Sequence, residues 1–474
     1  MRRMKLAALL ALLLAPSLSA AGEFDRPLPQ NPARQRQRVQ ERLAWGRRTL
    51  GDAYEKVGKK DPKWDKQARE ALEAAAHLYA REVEPVTPPE KVFAPAKKAV
   101  DSGCDDPMIL YLFARTTPAA AGAGADEIER RFKAASEAME RSSYPLIRRQ
   151  GALNKTGLLL AAKKDDPAAK KKAAGILDAC LKLLAEAYPK DADNPDVEAH
   201  WFETLQTIAW GFTQTEGGTK AAFDRIDGVL SKNPGLKALR LKERGKFYID
   251  YAWEARGNAY APLVAEKGFK MFHERLAEAG KALKGAWALK PGDARIATMM
   301  IMVELGIGGE RADMEKWFSR AMEADGDNYD ACMAKLNWLE PKWHGSVEDL
   351  IAFGRACRDT KNWRAKLTTV VGVAHRHVMP YLEGEAQERY MRSPEVWNDI
   401  RPAYEEYLKH VPSDNQVRSE YAGLGYLCGQ AKKSYEQFQA LGENVVYGQD
   451  YPEDWMKQAR SRLAAAVSKP AGGN

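Results

Sequence analysis

The sequence predicts an all-α fold, a right-handed solenoid of helix pairs, and three observations predict it. Of 474 residues, 74 are Ala, whereas Val, Ile and Thr together number 47. Ala gives up no side-chain entropy in a helix and β-branched residues do, so this balance favours helix over sheet. Amphipathic segments with apolar residues at three- and four-residue steps follow one another along the chain, with no convincing run of strands. One such segment recurs at a fixed step of 35 residues. Hydrophobic residues make up 45% of the chain, enough for a large core, which excludes global disorder and the collagen-like, disulfide-scaffold and multispanning membrane classes.

At the N-terminus, Arg2, Arg3 and Lys5 precede an apolar stretch, Leu6 to Ala15, that is too short to cross a bilayer. Ser19-Ala20-Ala21 then offers small residues for cleavage before Gly22. This pattern predicts a secretory signal peptide over 1–21 and an exported, periplasmic or secreted bacterial protein. No later stretch approaches the length of a membrane span, so none is expected after cleavage. The net charge is +8, and cleavage removes three cations and no anion, so no nucleic-acid partner is expected. The densest basic run, Lys163, Lys164, Lys170, Lys171 and Lys172, has Asp165 and Asp166 in its middle and reads as two solvated helix ends.

Helix punctuation orders the rest. Asp61-Pro62 and Ser393-Pro394-Glu395 each read as an N-cap followed by Pro at the first helical position. Ser346-Val347-Glu348-Asp349 reads as a capping box with Asp in the third place. Between such signals lie the predicted helices Lys66–Arg81, Phe269–Leu289, Ala312–Ala324 and Val396–His410. The clearest expected loops are Pro118–Ala125 and Gly211–Thr219. We divide the chain into the signal 1–21, an N-terminal helical region 22–190, a helical array 191–445, and a C-terminal helix with a disordered tail over 446–474.

The repeat is the most informative signal. Leu283, Phe318 and Phe353 are each 35 residues apart, as are Ala286, Ala321 and Ala356, and Pro291, Gly326 and Lys361 close the three units. A large residue, a small one three later and a helix end five further describe the second helix of a helix–turn–helix unit. Pro291 and Gly326 are breakers, whereas Lys361 is not. Near the C-terminus Tyr404, Tyr407 and Pro412 end one unit, and Tyr421, Ala422, Ser434, Phe438 and Leu441 occupy the next. With these positions the chain resembles the tetratricopeptide repeat over 270–445, although a 51-residue gap from Lys361 to Pro412 departs from the usual period. The resemblance implies helix pairs that stack into a superhelix and hold an extended peptide or partner helix on the inner surface.

A second resemblance rests on Trp253-Glu254-Ala255-Arg256-Gly257, Trp317-Phe318 and Pro341-Lys342-Trp343-His344-Gly345-Ser346. These look like a bacterial tetratricopeptide-like family of unknown function, which carries a Pro-Lys/Arg-Trp-Gly-Gly-Ser stretch. His344 replaces the first Gly of that stretch. The resemblance brings no known reaction.

Catalytic and metal motifs do not assemble. His273-Glu274 starts like a zincin helix, but position 277 is Ala. Asp325-Gly326-Asp327-Asn328 starts like a calcium loop but lacks its later Gly and Glu, and reads as a helix turn with an N-cap. Gly306, Gly308 and Gly309 lie between helices with no strand before them, so a helix-hairpin turn is expected rather than a phosphate loop. His375 and His377 face different sides of one helix and read as surface or capping residues. The five Cys form no CxxC; Cys332 and Cys357 could pair across neighbouring helices, but axes about 8–10 Å apart favour buried thiols. No cofactor or metal is expected.

Twelve Trp, eight of them between 201 and 363, read mainly as solenoid packing. Trp253 with Arg256 and Trp343 with Lys342 are the expected exposed pairs, with His344 beside them. The expected function is therefore a non-catalytic scaffold for a protein or peptide partner, anchored by Trp253, Arg256, Lys342, Trp343 and His344. The alternatives are an envelope enzyme acting on cell-wall glycan through His344 and Glu340, or a glycan-binding module with Trp faces in one plane.

Overall fold

A computed structural model of the chain describes residues 32–80, 87–118, 122–163, 165–191, 195–257 and 264–467. The predicted signal over 1–21, the middle of the Pro118–Ala125 loop and the last seven residues of the tail lie outside the described residues. Every regular element described is helical. The N-terminal part comprises α1 (Pro32–Thr49), α2 (Gly51–Val57), α3 (Asp65–Ala80), α4 (Glu90–Asp101), α5 (Pro107–Arg115), α6 (Ala125–Glu140), α7 (Leu146–Ala161) and α8 (Pro167–Asp191). Next come α9 (Pro195–Glu216), α10 (Thr219–Leu230), α11 (Lys237–Arg256), α12 (Glu266–Leu289), α13 (Ala294–Ile307), α14 (Arg311–Ala324), α15 (Tyr329–Trp338) and α16 (Val347–Asp359). The chain ends with α17 (Val370–Val378), α18 (Glu385–Met391), α19 (Pro394–His410), α20 (Asn415–Leu427), α21 (Ala431–Leu441) and α22 (Glu453–Val467).

The helices pack in pairs, α3 on α4, α5 on α6 and so on to α15 on α16; α17 then packs on α19 past the short α18, and α20 packs on α21. First helices of neighbouring pairs also touch: α3 with α5, α7 with α9, α11 with α13, α13 with α15, α15 with α17 and α20 with α22. Among the second helices described, the backbones come close only at α8 and α10, while α12, α14 and α16 meet through large side chains such as Trp287 on Trp317 and Phe318 on Phe353. The layer with the shorter spacing is the inside of a curve, so this is an all-α solenoid with the first helices on its inner side.

Packing explains the 35-residue pattern. Leu283, Phe318 and Phe353 are buried on α12, α14 and α16, and the Phe318 and Phe353 rings meet edge-on at 5.7 Å. Ala286 and Ala321 are fully buried small positions. In the third unit that role passes from Ala356 to Gly354, where a Cβ would come within 2.7 Å of Ala374 on α17. The 51-residue gap holds the whole of α17 together with two 3-10 turns and the short extra helix α18 before α19 closes the unit.

Several local expectations change. Lys361 does end its helix as a left-handed residue, at φ 54°, despite carrying a side chain. Residues 211–216 of the expected loop are helical, because Phe212 is buried and Gly211 lets α9 approach Leu177 on α8 within 2.6 Å of where a Cβ would sit. Asp61 caps a turn, accepting from Lys63 N at 2.9 Å, and α3 starts only at Asp65. Ser393 stands at the N-cap of α19 with Pro394 after it, but its hydroxyl makes no capping bond. Ser346 behaves as expected, accepting from Asp349 N at 3.1 Å. All five Cys are buried free thiols.

Two large apolar cores run through the solenoid. One spans Leu43 to Ala152, the other Ile147 to Leu463, and both draw residues from α7. Helix α1 packs on α3 and reaches much later turns. Its Gln35 donates to Asp327 at 2.6 Å and its Arg38 pairs with Asp325 at 2.6 Å. No described helix is long and apolar enough to cross a membrane.

Candidate binding site at the Trp253–Arg256–Trp343 corner

Helix α11 stops at Arg256 because Gly257 adopts φ 69°, in the half of backbone space open to glycine, and its N–H closes on Trp253 O. That leaves Trp253 and Arg256 in the last turn. The α15–α16 turn folds just as tightly: Trp343 N–H donates to Glu340 O at 2.8 Å and His344 N–H to Trp338 O at 3.3 Å. A Cβ at Gly345 would lie 2.1 Å from Leu339 O, so only glycine fits.

These two segments, ninety residues apart in sequence, meet. The Trp253 and Trp343 rings stand 5.6 Å apart at 85°, and Trp253 also packs edge-on against Phe272 at 4.9 Å. The Arg256 guanidinium lies over both indoles, 5.6 Å from Trp253 and 5.2 Å from Trp343. Such a corner gains from edge-to-face and cation–π attraction, about 1 kcal/mol for each contact. Both Trp are half-buried rather than exposed as the sequence suggested, since each closes one side of the other's ring. Their indole N–H groups are buried without a hydrogen-bond partner among the described residues.

The other two sequence-derived anchors belong to adjoining clusters. Lys342 bonds Glu340 at 2.9 Å, and Tyr381 donates to the same Glu340 oxygen at 3.0 Å. His377 approaches the second oxygen at 3.4 Å. Burial opposes ionisation of Glu340, but the His377 and Lys342 contacts outweigh it and hold the carboxyl below the usual range. His344 instead stacks on Trp338 at 4.8 Å, with its Nε2 3.1 Å from Leu305 O. The His344–Glu340 pair required for glycan hydrolysis therefore does not form. The carboxylate serves Tyr381, Lys342 and His377, while the His344 ring is held against α13.

The sequence missed a second corner of the same design. Trp287 and Trp317 meet at 5.5 Å and 90°, with Arg320 lying 5.2 and 4.5 Å from the two rings. The legible signal was Trp-x-x-Arg on a helix, shared by Trp253/Arg256 and Trp317/Arg320. In neither corner do the indoles share a plane, so neither forms the flat platform that the glycan-binding alternative needs.

His375 corrects the surface reading given above. It is 2% exposed, with Nδ1 2.7 Å from the Tyr390 hydroxyl and Nε2 3.1 Å from Asp399. Asp399 also accepts from Arg355 Nε at 2.8 Å and from Arg358. Likewise Asp325 and Asp327 are occupied by Arg38, Gln35 and Asn362, as parts of a helix turn.

No protein-family model and no curated protein matches the chain. Solved structures do. The crystal structure of yeast Tom70 aligns over 92% of this chain and 94% of its own, at 12% identity and a TM-score of 0.29. The TPR domain of P58(IPK) aligns over 81% of this chain and 95% of its own, at 17% identity and a TM-score of 0.17.

Proposed function

We propose that this chain is a non-catalytic protein-interaction scaffold that holds a peptide or partner helix against the Trp253–Arg256–Trp343 corner. The observation that carries the reading is the meeting of Trp253 and Arg256, from the last turn of α11, with Trp343 of the α15–α16 turn. Aromatic and Arg side chains grouped in one place are the usual anchors of protein interfaces. Lys342 and His344 flank the anchor and set its register with the partner. In this reading the protein works outside the cytoplasm, delivered by the 1–21 signal, and the Pro341–Ser346 stretch marks the bacterial tetratricopeptide-like family described above.

The test is in-cell crosslinking of the full-length protein in its native host, followed by mass spectrometry. One dominant protein partner is expected, and the Trp343→Ala, Arg256→Ala double variant should lose it while keeping the wild-type circular dichroism spectrum. Capture unchanged by the folded double variant removes this corner from the interface. Recovery of self-links alone removes the scaffold reading.

A further inference from the structure

A different feature lies between α1, α2, the start of α7 and the end of α8. There the surface opens into a cavity of about 410 Å³. Trp45, Val57, Pro145, Leu146 and Ile147 supply an apolar wall, and Val57 is 41% exposed on it. Among the described residues the charged lining has one sign: Arg48, Lys56 and Lys190 border the cavity and no described Asp or Glu does. Lys190 is paired with Glu186 at 3.3 Å on its own helix, whereas Arg48 and Lys56 have no carboxylate partner among the described residues.

Three neighbours strengthen the positive field. Arg148 is 7% exposed, and its guanidinium donates to Thr49 Oγ1 at 2.6 and 3.2 Å. It is packed between the rings of Trp45 and Tyr79, 4.8 and 5.0 Å away, with no carboxylate partner among the described residues. The buried Trp45 indole N–H has no partner among the described residues. Helix α7 begins at the cavity with Pro145 at its N-cap and no capping side chain, so the positive end of its dipole faces the cavity at Leu146 and Ile147.

The volume lies within the range of small-molecule pockets, roughly 300–1,000 Å³. A neutral apolar molecule would cover the wall and leave the cations unanswered. An inorganic anion would answer the cations and leave the wall wet. We propose that this cavity binds a small amphiphilic anion, a carboxylate carried on an acyl or aryl body. The acyl or aryl part lies against Trp45 and Val57, and the carboxylate lies between Arg48 and Lys56. This site is independent of the Trp253–Arg256–Trp343 corner.

The test is isothermal titration calorimetry of the full chain with decanoate, using decanol as the neutral control. Arg48→Gln/Lys56→Gln and Val57→Glu alter exposed side chains, and thermal melting verifies that each variant folds. Wild type should bind decanoate at least about tenfold more tightly than decanol. The double variant should lose about tenfold for decanoate and nothing for decanol, and Val57→Glu should abolish decanoate binding. Equal affinity for the two ligands, an unchanged double variant, or no decanoate binding below about 5 mM each overturns the proposal.

Discussion

Asp399 gathers contacts from two helices onto one carboxylate: the Arg355 and Arg358 guanidinium groups from α16 and the His375 imidazole from α17, with Tyr390 of α18 behind the imidazole. Burial alone would raise its pKa, yet the His375 and Arg355 contacts outweigh burial and bring it down to about 2. Burial works the other way on His375, lowering its pKa against the pull of Asp399, so the imidazole sits neutral in the folded state. Both groups bind protons more readily in the unfolded chain. Their stabilisation is complete near pH 7, declines below the ordinary imidazole value and falls further as pH drops through the carboxylate range toward 2. Asp399→Asn takes the counter-charge from Arg355 and leaves Arg358 with Asp359 alone, and should cost about 2–4 kcal/mol, read from urea denaturation at pH 7. Glu243 behaves oppositely. Burial pushes it up to about 7 although Gln206 donates to it. The folded chain keeps that proton longer than the unfolded one, so its contribution is full in acid and is lost as pH rises through 7. Glu243→Gln should therefore match wild type near pH 4 and exceed it by about 2–3 kcal/mol at pH 8.5, and a constant difference across that range would disprove the assignment. The sequence hid these roles because a helical wheel separates His375 from His377 without showing what each side of the helix meets.

Helices were legible where caps and periodicity agreed. Phe269–Leu289, Ala312–Ala324 and Val396–His410 fall within α12, α14 and α19 to a few residues. The misreadings share one cause: a breaker or helix-former was judged by its type rather than by its neighbour. Gly211 looked like a loop residue but is a place where two helices come close, whereas Lys361 closes its unit where the repeat placed it and does so at positive φ without being a breaker type. The turn between α15 and α16 gives the sharpest case, since Gly345 faces the Leu339 backbone itself and no side-chain rotation can make room. Gly345→Ala should destabilise the protein by about 1–3 kcal/mol and disturb the adjacent Trp343. The measurement is a thermal melt with the Trp fluorescence maximum followed in parallel. An unchanged melt would show that the turn relaxes freely. The anchors Trp253, Arg256 and Trp343 could be named from residue type, but nothing in the sequence showed that they touch. Contact between units several helices apart depends on superhelical curvature, which a 35-residue repeat does not encode by itself.

Across the whole molecule, each helix pair rests mainly on its neighbours, so stability should behave as a sum of local terms joined by interfaces. The two cores share α7: Ala152 faces the first, and Ile147 and Leu153 face the second. We place the mechanical joint of the chain there, within 146–161. Helix α1 adds a longer link, because Arg38 and Gln35 tie the first core to the 325–327 turn deep in the second. That link is polar and partly exposed, worth about 1 kcal/mol, whereas truncating a buried leucine costs about 2–5 kcal/mol. Core packing, not the strap, should therefore decide which segments open together. Leu72→Ala, in the first core, should speed amide exchange across 32–140 and leave 270–467 at wild-type protection in hydrogen-exchange mass spectrometry. Phe353→Ala should do the reverse, because Phe353 lies in the second core. Arg38→Ala with Gln35→Ala should loosen α1 alone. If either core substitution raises exchange evenly along the whole chain, the solenoid unfolds as one cooperative body and the α7 joint does not divide it.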